Sequence, residues 1–508
     1  MEADTPKNGD SLWVKQEIDK IQSHFVSELH RIEGDFNEHF TALNNEFQVR
    51  QPKLSEIPLL KKSTREIKES RIFIPRNSVL TDLFQISHIQ TLRNVFAATL
   101  IILFLHDTIE DIVNDGRLNL RFDVMFESFG KLHIALFIWL IMQLATSILV
   151  FFGVYCWANS RNSFKKNLKA YDMAWLFLYI SYLIIFLILP CHQIEKHQFP
   201  VASALIVLLE QMRQMMKAHS FVRENIRKNL LLIESKNASV CPDYSKYLYF
   251  LFAPTLIYKD EYPRTTTIHW DYVLRMFGQV LASAFYAYYV VERFCLPIFS
   301  DLSQNEITLP IFISVLFNSI MPGSLFLLLI FYGFLHCWLN AFAEMLRFAD
   351  RMFYQDWWNS TTFANYYRTW NVVVHDWLHA YVYRELYVLM GKKNRAIPSI
   401  CVILLSAVFH EYVMYFALGF FYPVMFILFG VVGLAFLFLI PRNPGPVFNI
   451  MIWLFLFIGI GLETCFYFME SFARKICPPS DLFWDKIMPR SFVCHIVSPA
   501  SKLLRVDL

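Results

Sequence analysis

The chain has 508 residues, of which 56% are hydrophobic, 17% aromatic and only 18% charged. A typical soluble domain has about 25% charged residues, so this composition argues against a soluble globular protein, a disordered chain and a disulfide scaffold, and it favours an integral membrane protein. The net charge of +3 gives no electrostatic support for a nucleic-acid partner. The nine cysteines include no CxxC pair, so neither a zinc ribbon nor a thioredoxin-like site is supported.

The first 50 residues are polar but carry a narrow apolar stripe. Its members recur at spacings of three and four residues: Ile18, Ile21, Phe25, Leu29, Ile32 and Phe36. This pattern is typical of a coiled coil, and we predict that residues 1–50 form a cytosolic oligomerisation segment. An amphipathic helix lying on the membrane is the alternative. Residues 51–93 are predicted to be a cytosolic linker and pre-membrane helix, and the polar start of the chain predicts no cleavable signal peptide.

Nine apolar segments are candidates for membrane spans, because a helix needs about 20 mostly apolar residues to cross a bilayer. They cover roughly residues 94–113, 132–157, 173–190, 199–212, 272–292, 310–335, 396–422, 423–440 and 448–470. The sixth is interrupted by Asn318, Pro322 and Gly323, and such a break is tolerated where protein or a cavity covers the backbone. The sequence therefore predicts an all-α polytopic membrane protein with a nine-helix domain over residues 94–470.

The distribution of basic residues predicts how this domain is oriented. With nine spans, 34 Lys and Arg residues fall on the side of the N-terminus and 11 on the opposite side. Positive charge marks the cytosolic side of a membrane. The N-terminus is therefore predicted to be cytosolic, and the tail, residues 471–508, to be luminal.

His410 is the first candidate for chemistry. It lies in the apolar segment CVILLSAVFHEYVMYFALGFF, 15 residues after Arg395, which is about 22 Å along a helix and so near the middle of the membrane. Ionisable residues at that depth are usually functional, and a neutral imidazole can act there as a base. The alternative is a packed histidine bonded to a neighbouring helix. Glu411 is either its partner or points away, since adjacent residues do not share a helix face.

The connection between the sixth and seventh spans is too aromatic for an exposed loop, and we expect it to lie in or on the bilayer. Polar residues recur in it at spacings of three and four: Arg368, Asn371, His375, His379 and Tyr383. This spacing predicts one polar helix face, and an Arg with two His and an Asn suits a phosphate-bearing substrate. A polar face that meets cytosolic water is the alternative.

A metal site is not expected in this segment. His375 and His379 have the i, i+4 spacing of zinc proteases, but the sequence between them, HDWLH, lacks the general-base Glu of HExxH. No other cofactor is predicted.

Several motifs resemble those of a known family. FYQDWWN at 353–359, followed by the buried His of HEY at 410–412, is similar to the membrane-bound O-acyltransferase superfamily. Within it, three longer segments closely resemble the sterol O-acyltransferases: MKAHSFVREN (216–225), YLYFLFAPTLIYKDEYPR (247–264) and FLHCWLNAFAEMLRF (334–348). The resemblance runs from about residue 72 to 494. It implies a membrane-bound O-acyltransferase fold with an intramembrane catalytic chamber. It also implies that the protein lies in the endoplasmic reticulum membrane.

The resemblance also implies an activity: acyl-CoA and cholesterol are converted to cholesteryl ester and CoA, with acyl-CoA as a substrate rather than a cofactor. It implies His410 as the catalytic base and Asn371 as its companion. Contacts to acyl-CoA are implied at Asn365, Arg368, Asn371, His375, Tyr383, Arg395 and Ser406. By analogy His88 is a sterol contact. Two positions depart from the family pattern, which usually has Lys at 395 and often Tyr at 379.

The chemistry suits this assignment. A sterol hydroxyl is a poor nucleophile, so a base must take its proton as it attacks the thioester, and His410 can do so. The Asn371 amide can donate a hydrogen bond to the developing oxyanion. A diacylglycerol O-acyltransferase is the runner-up, because that family also carries FYxDWWN. A sterol transporter or sensor is the alternative from another class, although no inverted repeat is evident.

Cys477 and Cys494 are the only cysteines in the polar C-terminal tail. The nine-span topology places this tail in the lumen, where disulfides persist, and we predict a disulfide between them. Two free thiols are the alternative if a span has been miscounted. The family resemblance favours the bridge.

Overall fold

The computed structural model describes residues 71–118, 120, 122–234, 241–302, 308–441, 445–477 and 483–491, together with seven positions between 20 and 34. The chain divides into two compact units, Met1–Ile72 and Phe73–Leu508. All six members of the apolar stripe lie outside the described residues, so oligomerisation through residues 1–50 stays a prediction. Cys494 also lies outside them, and the disulfide stays a prediction too. Seven of the other cysteines are free thiols.

The described part of Phe73–Leu508 is helical and contains no β-strand, which confirms the all-α fold class. The helices are α1 (Val79–Leu83), α2 (Ser87–Asp115), α3 (Phe122–Ser128), α4 (Leu132–Ala145), α5 (Phe151–Ser160), α6 (Leu168–His197), α7 (Val201–Glu234), α8 (Tyr244–Phe252), α9 (Trp270–Val290), α10 (Leu296–Leu302), α11 (Leu309–Ile330), α12 (Leu339–Met345), α13 (Phe363–Thr369), α14 (Val372–Leu378), α15 (Arg384–Leu389), α16 (Ala396–Leu418), α17 (Gly433–Leu439) and α18 (Val447–Ile476). π-helical turns follow α4, α9, α11 and α14 without a break, and another, Phe426–Val432, leads into α17.

Helices cover all nine predicted spans, and a polytopic membrane protein is confirmed. Among the described residues, five stretches are both long and apolar enough to cross a membrane: Phe122–Ser160, Leu168–His197, Leu309–Met345, Ala396–Leu418 and Val447–Ile476. Phe426–Leu439 is apolar but shorter. The remaining predicted spans lie in α2, α7 and α9, whose charged residues include Asp107, Lys217 and Arg275. The count of nine spans therefore stays a prediction.

The sixth span is not interrupted as the sequence suggested, because α11 runs through Pro322 as one helix. Pro322 and Gly323 are buried, and a Cβ atom at Gly323 would lie only 2.6 Å from the Thr464 hydroxyl oxygen of α18. The small residue thus lets α11 and α18 approach closely, and the backbone near the proline is covered by protein, as a membrane helix requires.

An ion pair joins the segment that precedes α2 to the connection after α12. The Arg76 guanidinium donates to both carboxylate oxygens of buried Asp350, at 2.7 and 3.1 Å. Nearby, the Tyr354 hydroxyl lies 2.7 Å from His336 Nδ1 in a fully buried cluster with Ser78 and Asn340. Because buried polar groups of this kind are unfavourable without partners, these contacts fix where the FYQDWWN motif begins.

The FYQDWWN motif lies in a buried, aromatic-rich cluster. The Trp357 ring is 2% exposed and lies 4.6 to 5.3 Å, centroid to centroid, from the rings of Phe331, Trp370 and Trp453. Those rings belong to the end of α11, the turn before α14, and α18 respectively. The motif therefore packs together the helices that surround the candidate site.

Candidate active site

His410 lies in the middle of α16, one turn after Ser406. Its Nδ1 atom is 2.7 Å from the Ser406 carbonyl oxygen. A carbonyl only accepts, so Nδ1 carries the proton and the lone pair of the neutral ring is on Nε2. More than a third of the His410 residue surface remains exposed, although protein atoms lie densely around it. Nε2 of His410 makes no hydrogen bond among the described residues, so its lone pair is available to accept a proton.

Each residue of the HEY triplet makes contact with a different neighbour. Glu411 points away from His410: its carboxylate accepts from the Phe426 amide at 3.1 Å and from the Tyr467 hydroxyl at 3.3 Å. Tyr412 donates to Gln211 of α7 at 2.8 Å. Since consecutive helix residues project about 100° apart, the triplet contacts three sides of α16 at once. Of the two possibilities considered for Glu411, partner of His410 or a side chain that points away from it, the second is correct, and the side chain is buried.

A phenylalanine joins His410 to the segment that carries the other candidates. The Phe429 ring lies 5.1 Å from the His410 ring and 4.8 Å from the Tyr367 ring. Tyr367 belongs to α13, beside Arg368, and its hydroxyl passes over Gly433, where a Cβ atom would lie 2.1 Å away. A single aromatic ring, that of Phe429, thus lies between His410 and α13 and contacts both.

Asn371 does not continue the preceding helix, and the predicted single polar face from Arg368 to Tyr383 is wrong. The backbone leaves the helical conformation at Asn371, between α13 and α14. The Asn371 side-chain oxygen accepts from the Val374 amide at 3.2 Å, so Asn371 is the N-cap of α14. This contact uses the carbonyl and leaves the amide N–H₂ without an acceptor among the described residues. Asn371 therefore presents two donors of fixed direction.

His375 and Tyr383 belong to a column of stacked rings, one per helical turn. His375, His379, Tyr383 and Tyr387 lie 6.1, 5.2 and 6.0 Å apart in order, with interplanar angles of 14° to 21°. The Arg395 guanidinium lies 6.0 Å from the Tyr387 ring and closes the column. Desolvation lowers the pKa of His379, and the charge of His375 lowers it further; the neutral ring stacks without charge repulsion. We call these four rings the ring column.

The opposite side of the same helical stretch is bound to α7. The Trp377 indole N–H donates to the Met216 carbonyl at 2.9 Å, and the Tyr381 hydroxyl donates to Glu224 at 3.1 Å. These bonds fix the rotation of α14, so the ring column is held away from α7.

α7 is itself tied to the segment after it by Lys217. The Lys217 ammonium is 1% exposed and donates to the carbonyl oxygens of Phe250, Leu251 and Ala253, at 2.7 to 3.0 Å. These three acceptors at the carboxyl end of α8 match all three N–H donors of the charged ammonium group. The motif at 216–225 thus supplies the donor, and the motif at 247–264 supplies the acceptors, of the same set of hydrogen bonds.

Asn365 and Arg368 lie together on α13, before the helical stretch that carries the ring column, and Arg368 is still within electrostatic range of His379. They line a pocket of about 380 Å³ with residues of two other segments: Thr361, Thr362, Phe363, Ala364, Phe436, Leu437, Ile440 and Pro441. Asn365 donates to the Ser360 hydroxyl at 3.0 Å, which fixes its amide.

The structure brings His88 next to none of the other candidates. It is exposed near the start of α2. Its neighbour Ile89 lines a second pocket of about 610 Å³ with Gln355, Asp356 and Trp358. Ser406 contributes its backbone carbonyl to His410 rather than a side-chain contact.

Within the part of the chain described, the only three converging metal-type ligands are His106, Asp107 and Glu110 on the exposed side of α2. None of them is a candidate residue of this site.

Sequence reasoning missed several residues of this region. Glu463 of α18 lies within electrostatic range of Glu411 and of the Tyr367 hydroxyl. A carboxyl group inside a predicted span is itself a functional signal, and it could have identified Glu463. Phe429 and Gln211 carry no such signal, because a phenylalanine in an apolar segment and a glutamine in a helix are ordinary.

Comparison with known proteins agrees with these features. Residues 133–469 match the profile of MBOAT, the membrane-bound O-acyltransferase family. Sterol O-acyltransferase 1 of Cricetulus griseus is 44% identical over 434 residues, which are 85% of this chain and 79% of the relative. Sterol O-acyltransferase 2 of Rattus norvegicus is 43% identical over 440 residues, 85% and 83% of the two chains. Sterol O-acyltransferase 2 of Homo sapiens is 42% identical over 429 residues, 84% and 81%. The chain belongs to the membrane-bound O-acyltransferase family.

Proposed function

We propose that this protein is a sterol O-acyltransferase, which transfers a long-chain fatty acyl group from acyl-CoA to the 3-hydroxyl of cholesterol and releases cholesteryl ester and CoA. The observation that carries the proposal is the likeness to sterol O-acyltransferases over most of the chain. The free Nε2 of His410 supports it, because acyl transfer to an alcohol requires a base at that point.

In the reaction, His410 Nε2 takes the proton of the sterol hydroxyl as its oxygen attacks the thioester carbon. The Ser406 carbonyl stabilises the imidazolium that forms, through the Nδ1 proton. The Asn371 N–H₂ group donates to the carbonyl oxygen as negative charge develops there. The tetrahedral intermediate then collapses without a covalent enzyme intermediate, the CoA thiolate leaves, and the proton on His410 passes to it, which restores the neutral imidazole.

Acyl-CoA binding is assigned to the basic end of the site. The ring column, Arg395 and the pocket at Asn365 and Arg368 offer stacking surfaces and guanidinium groups for a nucleotide and its phosphates. The sterol and the acyl chain would enter from lipid. His88 is proposed as a sterol contact.

The proposal extends to the cellular setting. The protein acts in the membrane of the endoplasmic reticulum, with the N-terminus cytosolic and the C-terminus luminal, as a homo-oligomer assembled through residues 1–50. The asymmetry of Lys and Arg along the chain and the apolar stripe support these assignments.

An acceptor assay tests the activity. Purified full-length protein is incubated with radiolabelled oleoyl-CoA and either cholesterol or diacylglycerol, and the labelled lipids are separated. We expect cholesteryl oleate and little triacylglycerol. Triacylglycerol as the main product would replace the proposal with a diacylglycerol O-acyltransferase, and no ester with either acceptor would refute acyl transfer to these alcohols.

A further inference from the structure

A proline inside α6 leaves a carbonyl group that another helix satisfies. Pro190 has no N–H, so the Phe186 carbonyl, four residues earlier, has no partner within the helix. The side-chain amide of Gln211 on α7 donates to this oxygen at 2.8 Å and to the Leu187 oxygen at 2.9 Å. Gln211 is 0% exposed, and it therefore replaces the missing hydrogen bond in a place that water does not reach.

These two bonds fix every donor and acceptor in the cluster. Because both carbonyls accept from the Gln211 N–H₂ group, its Oε1 atom must be an acceptor, and Tyr412 Oη donates to it at 2.8 Å. The Tyr412 oxygen then accepts from the buried Cys191 thiol at 2.7 Å. The Leu187 oxygen, 3.4 Å from Tyr412 Oη, is the longer contact. Each group in this chain donates to the next: the Cys191 thiol of α6 to Tyr412 of α16, and the Tyr412 hydroxyl to Gln211 of α7.

Tyr412 is two residues after His410 on α16. On the other side of that helix, Glu411 is held by the Phe426 amide and the Tyr467 hydroxyl. A rotation of the helix by about 10° would move the imidazole, which lies some 6 Å from the axis, by roughly 1 Å. A displacement of about 1 Å can cost 10²-fold in rate.

We propose that Gln211 and Tyr412 are positioning residues for the reaction: through the hydrogen bond between them, anchored at the carbonyl that Pro190 leaves without a partner in α6, they fix the rotation of α16 and so the direction of His410 Nε2. The inference rests on the proposed function for its kinetic test but not for its geometry. Neither residue touches the reacting atoms.

Three single variants of the full-length enzyme, and the double variant of Gln211 and Tyr412, test it. Tyr412→Phe removes only the hydroxyl. Gln211→Glu keeps the shape but removes the two N–H donors, so the Phe186 and Leu187 carbonyls lose their partner. Tyr415→Phe is the control, because Tyr415 lies on the same helix and its hydroxyl has no hydrogen-bond partner among the described residues. Each is assayed for kcat and KM, and His410 is followed by its rate of carbethoxylation with diethyl pyrocarbonate, read by mass spectrometry.

We expect Tyr412→Phe and Gln211→Glu each to lower kcat per folded enzyme by about 10-fold or more, with the KM for acyl-CoA changed less than about twofold. The double variant should lose little more than either single one, and both should change the carbethoxylation rate of His410. Tyr415→Phe should match the wild type in every measurement.

A purely structural role would lower yield or thermal stability but leave kcat and the carbethoxylation rate of the folded fraction unchanged, and that result overturns the inference. Fully additive losses in kcat would also overturn it. Should the wild-type protein esterify no sterol, the proposed function fails, while the carbethoxylation rates still decide whether these residues position His410.

Discussion

Asn371 has two tasks that a substitution can separate. Its side-chain carbonyl caps α14 by accepting from the Val374 amide, and its N–H₂ group is free to donate to an oxyanion. His410 likewise divides its two nitrogens, one bound to the Ser406 carbonyl and one free. In both residues the structural hydrogen bond fixes the direction of the remaining polar group, the N–H₂ of Asn371 and the Nε2 of His410. Groups oriented in advance can stabilise charge that develops during a reaction without having to reorganise.

The first prediction uses this division. Asn371→Asp keeps the cap but has no N–H donor, whereas Asn371→Ala loses both. Both should lower kcat by roughly 10²-fold with little change in KM, and only Asn371→Ala should lose about 1 kcal/mol of stability. Steady-state kinetics and thermal unfolding in detergent measure these effects.

Arg368→Ala provides the contrast, because a guanidinium in the pocket beside Asn365 should chiefly bind acyl-CoA and its loss should raise KM. The reversed kinetic signatures, with KM raised by the Asn371 variants and kcat lowered by Arg368→Ala, would contradict both assignments.

At the scale of elements, the ring column lies wholly on the helical stretch that follows Asn371 and does not extend back across that residue. α14 starts at Val372, and the column begins one turn later at His375. Arg368 lies before the break and lines a pocket instead. The proposed acyl-CoA site therefore has two parts, one on each side of the cap at Asn371.

His379 is the second ring of the column, and it tests whether the column binds acyl-CoA. His379→Ala should leave a gap between His375 and Tyr383 and raise the KM for acyl-CoA several-fold at nearly unchanged kcat, whereas His379→Tyr should restore stacking and a KM within about twofold of the wild type. Kinetics at saturating sterol measure this. If His379→Ala has a wild-type KM, or if Tyr fails to rescue it, the column is not part of the acyl-CoA site.

The contact between α11 and α18 gives a prediction about stability. A Cβ atom at Gly461 would lie 2.6 Å from Ile320 Cγ1 and 3.1 Å from its Cα, whereas Gly459, on the same helix, has no atom within 4 Å of that position. Gly461→Ala should therefore cost about 1–3 kcal/mol, and Gly459→Ala should be neutral or slightly stabilising because Ala favours a helix. The thermal unfolding midpoints of the two variants, measured in the same detergent, test this prediction. Equal midpoints would show that the helices do not pack as closely as described.

The sequence predicted the features that depend on local pattern. That His410 lies on one helix beginning directly after Arg395 follows from the apolar pattern, and the all-α class follows from composition, whereas the depth of His410 in the membrane stays a prediction. The break at Asn371 was missed because an N-cap asparagine at helical spacing cannot be told from a polar residue on a continuing helix. The bond between Gln211 and Tyr412 was missed for another reason: 201 residues separate the two, and only tertiary packing brings a glutamine to the carbonyl that Pro190 frees.

At the scale of the whole molecule, the number of spans decides which compartment holds each end of the chain. Five described stretches satisfy length and hydropathy alone, and α2, α7 and α9 carry charges that polar contacts within the protein satisfy. One such contact is Lys217 with its three carbonyls. An odd count of nine places the C-terminal tail opposite the N-terminus.

The disulfide tests this topology. If the tail is luminal, Cys477 and Cys494 should be joined, and closing a loop with 16 intervening residues should stabilise the tail by about 3 kcal/mol in the chain-entropy model. Mass spectrometry of the alkylated, non-reduced protein measures it, and the free thiol of Cys156, which is exposed, serves as a positive control for alkylation. Alkylation of both tail cysteines would remove the bridge and the support it gives to nine spans.

The central claim is that His410 is the base for acyl transfer, and the most direct measurement is kcat of purified His410→Ala with oleoyl-CoA and cholesterol. The account predicts a loss of at least 10²-fold, since general-base catalysis is typically worth 10²–10⁴-fold, with oligomer size and thermal midpoint equal to those of the wild type. A variant that keeps more than about a tenth of the wild-type kcat would contradict it.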